Sequence, residues 1–218
     1  MLPSAITRLA SLAALFACLA IPALRADEKP AKLNLFNGKD LTGWKIYLDK
    51  KDQDKDPAKF FTAEKDGVLK INGKVLGMIF TDKPFTNYTL SFDWLYPEGS
   101  TPESNSGALI HLQPPFNKIF PPSLEPQGRY KDHGKIFPMA GVKAENNKFD
   151  QEALDKALKP LGQWNSTEIT CKADGSVSVK VNGTPVSSCT SKLKEGPVGF
   201  QSEGHEIHLK NIHLKPLD

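Results

Sequence analysis

The chain has 218 residues, a length that suits one domain able to bury a full hydrophobic core without staples. Its 28 Lys/Arg are nearly balanced by 25 Asp/Glu, and the formal net charge of +3 argues against a nucleic-acid partner, which would need a dense basic face. Past the first twenty residues no apolar run approaches the roughly 20 needed to span a bilayer, so no integral membrane segment is expected in the mature protein.

The N-terminus reads as an export signal. Arg8 supplies the positive region, residues 9–20 (LASLAALFACLA) the apolar stretch, and Pro22 breaks it. Cleavage after Ala26 gives a signal peptide over residues 1–26 and a mature domain over 27–218; cuts after Ala20 or Ala23 also fit. Cys18 raises a lipid-anchor alternative, with Phe16 and Ala17 making a poor lipobox. The expected destination is the periplasm or the extracellular space, where disulfides form. Two cysteines then remain, Cys171 and Cys189. The Asn182-Gly183 turn pairs Cys189 near Ser176 and leaves Cys171 one strand further away, so the sequence leaves a disulfide open.

From Leu33 onward almost every signal is β. Short runs at 45–48, 60–64, 67–71 and 76–81 are separated by turn residues, with Asn72-Gly73 as a hairpin turn. In 87–96 (NYTLSFDWLY) the residues Tyr88, Leu90, Phe92, Trp94 and Tyr96 share an apolar face opposite Thr89, Ser91 and Asp93. Further strands are expected at 106–113, 123–127, 134–137, 164–172, 176–182, 184–188, 197–202 and 206–215. One stretch, 151–158, reads as a surface helix, capped by Asp150 and stopped by Pro160. Many short strands with one incidental helix mean an all-β sandwich or barrel, and no repeat or linker divides it.

Two neighbouring segments set polar residues on one face over apolar residues on the other. Asn105, Leu109, His111 and Gln113 face away from Ser106, Ala108, Ile110 and Leu112; Ser123, Glu125, Gln127 and Arg129 face away from Leu124 and Pro126. If the strands are neighbours, His111, Gln113, Glu125 and Gln127 form a patch that Asp93 could join. Carboxylate and amide groups offer the donors and acceptors that sugar hydroxyls need, and a carboxylate beside a His can move protons. A wet outer strand face is the bland alternative. His133 sits in a loop that could reach the patch; His205 follows a turn that could rim it; His208 and His213 read as surface residues, and Trp44 and Trp164 as packing residues.

The ordered motifs 35–44 (LFNGKDLTGW), Asn105-Ser106-Gly107, 124–128 (LEPQG), Trp164-Asn165, Val181-Asn182-Gly183, 196–201 (GPVGFQ) and Lys210-Asn211-Ile212 resemble the 3-keto-disaccharide hydrolase domain family. The resemblance runs from about Leu33 to Leu217 and implies a concanavalin-like jelly-roll β-sandwich acting on carbohydrate. It implies cleavage of glycosides already oxidised to a ketone at sugar carbon 3, by removal of the carbon 2 proton, elimination and hydration. Such chemistry needs one base, one acid for the leaving oxygen and a group to steady the enolate. The resemblance casts Glu125 as base or metal ligand and His111 or His133 as acid or ligand. Asn105, Gln113 and Gln127 become substrate-binding residues, and Arg129 or Lys135 the enolate partner. No cofactor is required, although a divalent cation such as Ca²⁺ could steady the enolate. Pro126 removes a ladder donor and so places its strand at an edge or bulge. The alternative on the same face is a lectin-like carbohydrate-binding module without turnover.

Overall fold

Strict alternation builds the central strand: along β7 (Tyr88–Leu95) every second residue is buried, from Tyr88 to Trp94, and those between are half-exposed. The computed structural model describes residues 31–218. The expected signal peptide, 1–26, lies outside the described residues.

In chain order the remaining elements are β1 (Leu33–Asn34), β2 (Trp44–Leu48), β3 (Phe61–Glu64), β4 (Val68–Ile71), β5 (Gly77–Thr81) and β6 (Phe85–Thr86) before β7. After it come β8 (Ala108–Leu109), β9 (Ser123–Pro126), β10 (Ile136–Met139), β11 (Glu145–Phe149) and the helix α1 (Gln151–Ala157). The C-terminal part holds β12 (Asn165–Cys171), β13 (Ser176–Val181), β14 (Thr184–Thr190), β15 (Glu195–Gly196), β16 (Gly199–Ser202) and β17 (Ile207–Pro216).

These strands form a jelly-roll, lectin-like β-sandwich. One sheet has the order β11-β14-β13-β12-β7-β17-β4-β3, with β1 beside β17; the other has the order β2-β5-β16-β8. Their inner faces enclose one core containing Leu69, Ile71, Ile79, Leu90, Phe92, Trp94, Phe200 and Leu209. Phe92 and Phe200 meet edge to face across it, ring centroids 5.0 Å apart, the geometry that aligns ring edge with ring face.

Local chemistry sets the turns and caps. Asn182 and Gly183 both have positive φ, as the tight hairpin between β13 and β14 requires. The Asn182 side chain then accepts from Ser166 N at 2.8 Å and donates to Ala157 O at 2.8 Å, tying hairpin to helix. Asp150 caps α1 by accepting from Ala153 N at 2.9 Å, and Leu154 buries the helix's inner side. The helix ends at Ala157, one residue short of the expected bound.

Cys171 and Cys189 are both free thiols. Each is opposite Val177, on either side of β13. Two strand spacings separate them, about 10 Å, which is beyond the reach of a disulfide.

Candidate active site

The second sheet has two useful faces, because its inward residues fill the core and its outward ones are covered only in part. Ile79 and Phe200 point in; Met78, paired with Gln201, points out. Outside, Met78, Phe80, Leu109 and Leu112 form a small second core with Phe116, and the Tyr47 hydroxyl pins the covering loop by donating to Asn117 O at 2.6 Å. Beyond this cover the outer face is polar.

The hairpin β9–β10 extends this sheet through two single bridges, Ile110 with Leu124 and Gly107 with Gln127. Ile110 and Leu124 exchange both backbone bonds, and Gly128 N donates to Ser106 O at 2.9 Å. The bonding pair between them would need an N–H from Pro126, which has none. Pro126 pairs with Ile136 on one side and turns the side without an N–H toward β8, where the ladder is interrupted, as the expected edge or bulge requires. The ladder opens there, directly beside Glu125.

Glu125 faces outward, opposite Leu124, as its strand pattern predicts, yet it is only 4 % exposed. Gly107 lies beneath it: a Cβ there would lie 2.3 Å from Gln201 Oε1 and 2.6 Å from Glu125 Oε1. Among the described residues Gln201 Oε1 is buried without a hydrogen-bond partner. Two acceptor oxygens converging on one small space call for a proton, and Glu125 is the group that can carry it. Desolvation pushes its pKa up to about 8, and the negative charges of Glu203 and Asp132 add to that. Contact with the Gln201 side chain and the charge of Arg129 oppose the rise. Glu125 is thus a carboxylic acid at neutral pH, poised to exchange a proton.

Other residues close the rim. Arg129 grips Asp132 with two bonds, of 2.8 and 2.6 Å, and its third nitrogen lies 3.7 Å from Glu103. Lys131 holds Glu103 from the other side. The exposed His205 accepts from Asn105 N at 3.1 Å through Nδ1, and Asn105 Oδ1 is buried without a partner among the described residues. Phe137 pairs with Glu125 across the hairpin and shares its face, offering a half-exposed ring beside the acid. Lys135 lies with its ammonium 5.4 Å from that ring's centroid and 5.7 Å from that of Phe149.

Of the residues expected in the patch, the fold brings together Glu125, Gln127, Arg129 and Asn105. Gln127 uses its Oε1 to accept from the N–H groups of Gly128 and Arg129, leaving its amide nitrogen for a ligand.

Other expected members lie elsewhere. His111 has a left-handed φ of 54°, which breaks strand alternation and turns its ring into the core against the edge of Tyr88. Gln113 donates to His111 O and Glu195 O, closing a loop. His133 is stacked on Trp94 at 4.0 Å and bonded to Thr167 Oγ1 at 2.8 Å. Asp93 accepts from Asn211 on the outer face of the other sheet, where Lys210 covers Trp164. Gln201 and Glu203, from the far end of the chain, entered the sequence reading only as part of the turn before His205 that could rim the patch, and Phe137 did not enter it as a site residue.

Among the described residues no group of three or more His, Cys, Asp or Glu is arranged to hold a metal ion. A cation here would rely on Asn105, Gln201 and an ionised Glu125, and would compete with the proton on that acid. A cavity of about 610 Å³ lies apart, lined by Lys143, Lys192, Lys194 and Leu193, and contains no buried acid. Because Gly107 leaves room for the two oxygens, Gly107→Ala is expected to force them apart and to cost about 1–3 kcal/mol of stability. An unchanged melting temperature would show that the space above Gly107 is not filled by Gln201 and Glu125.

A jelly-roll, lectin-like sandwich with a buried acid on a polar sheet face belongs among carbohydrate-active proteins. The chain is a member of the 3-keto-alpha-glucoside-1,2-lyase-like domain family, which it matches over residues 32–215. It is 25% identical, over 85% of its length and 78% of the other's, to a 3-keto-disaccharide hydrolase of Bacteroides thetaiotaomicron. A candidate glycosyl hydrolase structure from Parabacteroides distasonis superposes with TM-score 0.61 at 25% identity, covering 86% of this chain and 94% of that one. A carbohydrate-binding module of family 66 from Bacillus subtilis shares the fold at TM-score 0.55 and 10% identity, over 80% of this chain and 96% of its own.

Proposed function

We propose that this protein is an exported hydrolase that cleaves glycosides carrying a ketone at sugar carbon 3. The observation that supports this best is the buried, protonated Glu125 on the outer side of the sheet, beside Gln201, Arg129 and the half-exposed Phe137. A ketone at carbon 3 acidifies the carbon 2 proton, so elimination needs a base and an acid of moderate strength. It does not need the two opposed carboxylates of ordinary glycoside hydrolysis. Phe137 offers an apolar ring for a sugar face, and Asn105 Oδ1, without a partner among the described residues, is an acceptor for a sugar hydroxyl. Arg129 is the positive group nearest the acid that could steady an enolate oxygen. Export follows from the leader sequence, and the family relationship supports a sugar as partner.

The test is incubation of the purified protein with methyl 3-keto-α-glucopyranoside and with methyl α-glucopyranoside, each with added Ca²⁺ and with EDTA. Methanol release from the keto sugar alone is the expected result. Saturable binding of either sugar without release would replace the hydrolase by a lectin-like module. Activity abolished by EDTA and restored by Ca²⁺ would place a cation on the oxygens around Glu125.

A further inference from the structure

Building on the reaction proposed above, we infer that Glu203 is the catalytic base at sugar carbon 2, and that Glu125 serves the leaving oxygen as acid. Strand geometry puts Glu203 on the right face. Gln201 points outward over Gly107, and Ser202 points inward with its hydroxyl donating to Val75 O at 2.6 Å. Alternation continued one residue past β16 turns Glu203 outward again, and its charge acts on both Glu125 and Arg129. It sits at the end of β16, half-buried, immediately before the Gly204-His205 turn that meets Asn105.

The other acids of the rim are already engaged. Asp132 is taken by Arg129 through both carboxyl oxygens. Glu103 is held by Lys131 and lies beside Arg129. Glu203 is bound in no ion pair among the described residues, although it feels both Arg129 and Glu125. Two interacting carboxyls do not both ionise readily; the more deeply buried one keeps the proton. That one is Glu125, 4 % exposed. Burial also raises Glu203, while Arg129 favours its ionised form. The fold thus presents two carboxyls of unequal burial to the same surface, the deeper one holding its proton more firmly and the shallower one beside Arg129.

The cycle balances. Glu203 takes the carbon 2 proton, and the electron pair left on carbon 2 forms the enolate of the carbon 3 ketone. The enolate collapses, the carbon 1–oxygen bond breaks, and the departing oxygen takes the proton of Glu125. Water then adds at carbon 1 and gives a proton to Glu125, while Glu203 returns one to carbon 2. One water is consumed and both carboxyls regain their starting states.

The test follows methyl 3-keto-α-glucopyranoside in D₂O by NMR, reading carbon 2 exchange and methanol release separately. Wild-type protein is expected to release methanol and to leave deuterium at carbon 2 of the product. Glu203→Gln should lose both readouts by about 10²- to 10⁴-fold, the usual cost of removing a general base. Glu125→Gln should keep carbon 2 exchange in the intact glycoside while methanol release collapses. Cooperative melting at or above the wild-type temperature confirms that the variants fold. Exchange surviving in Glu203→Gln, or lost in Glu125→Gln as completely as in Glu203→Gln, overturns the assignment while leaving the hydrolase intact. A wild-type protein that neither exchanges nor cleaves the keto sugar removes the hydrolase and, with it, this role for Glu203.

Discussion

Glu125→Gln is expected to abolish turnover and at the same time to raise the melting temperature. Glutamine has the same shape, can still meet Gln201, and needs no charge in a site that water barely reaches. The wild-type carboxyl has a folded pKa of about 8 against an ordinary value of 4.5. Between those values the unfolded chain ionises while the folded one keeps its proton. The stability conferred by the neutral acid is therefore complete below pH 4.5 and is lost as pH rises towards 8. At pH 7 the loss is on the order of 3 kcal/mol, and the variant escapes it. This is the trade expected where an active site is held at the expense of stability. Turnover should fall about 10²- to 10⁴-fold, and wild-type activity should decline above pH 8 as the acid loses its proton. Thermal melts of the two proteins at pH 5 and pH 8 check the stability half: the gap must widen with pH. An equal gap at both would mean that Glu125 is not held protonated.

Acid should act on the fold through two buried histidines. His133 sits in a chain of bonds with fixed direction. Trp94 Nε1 donates to Thr167 Oγ1 at 2.9 Å, so that hydroxyl donates onward to His133 Nε2, and Nδ1 faces Gly128 O at 3.3 Å. A second ring proton would meet a donor. Among the described residues neither ring nitrogen of His111 makes a well-formed hydrogen bond, and only a weak approach to the Leu193 backbone favours its charged form. Burial lowers both to about 4 from the ordinary 6.5. The neutral folded form therefore binds fewer protons than the unfolded chain between these values. Stability should fall as pH drops from 6.5 to 4 and level off below, by on the order of 3 kcal/mol for each histidine. Glu125 gains stability over part of the same range, so the histidine slope should be steepest in the Glu125→Gln background. His111→Leu, which puts an apolar side chain against Tyr88, should remove about half of it. Urea denaturation at pH 7, 5.5 and 4 is the measurement, and a His111→Leu profile parallel to wild type would rule out His111 as a contributor.

Much of the molecule was legible from local pattern. The alternation of Tyr88 to Trp94, the Asp150 cap, the Asn182-Gly183 turn and the outward set of Glu125 and Gln127 all appear where the sequence puts them. Each depends on a few neighbouring residues, on periodicity, or on a side chain bonding its own backbone. His111 defeated the same reasoning because one residue in a left-handed conformation reverses the face on which the next side chain falls.

The site itself was half visible. Glu125, Gln127, Arg129 and Asn105 lie close in sequence and could be grouped by spacing. Gln201 and Glu203 join them only because β16 pairs with both β5 and β8, a contact between distant parts of the chain. His133 looked like a loop residue free to reach the patch, but stacking on Trp94 draws it into the core. The sequence by itself determined the β class, the faces of the regularly alternating strands and the outward set of the carboxyl at position 125. Tertiary structure alone decided that this acid is buried enough to hold a proton and which second carboxyl stands beside it, because desolvation and charge proximity are properties of the assembled sheet.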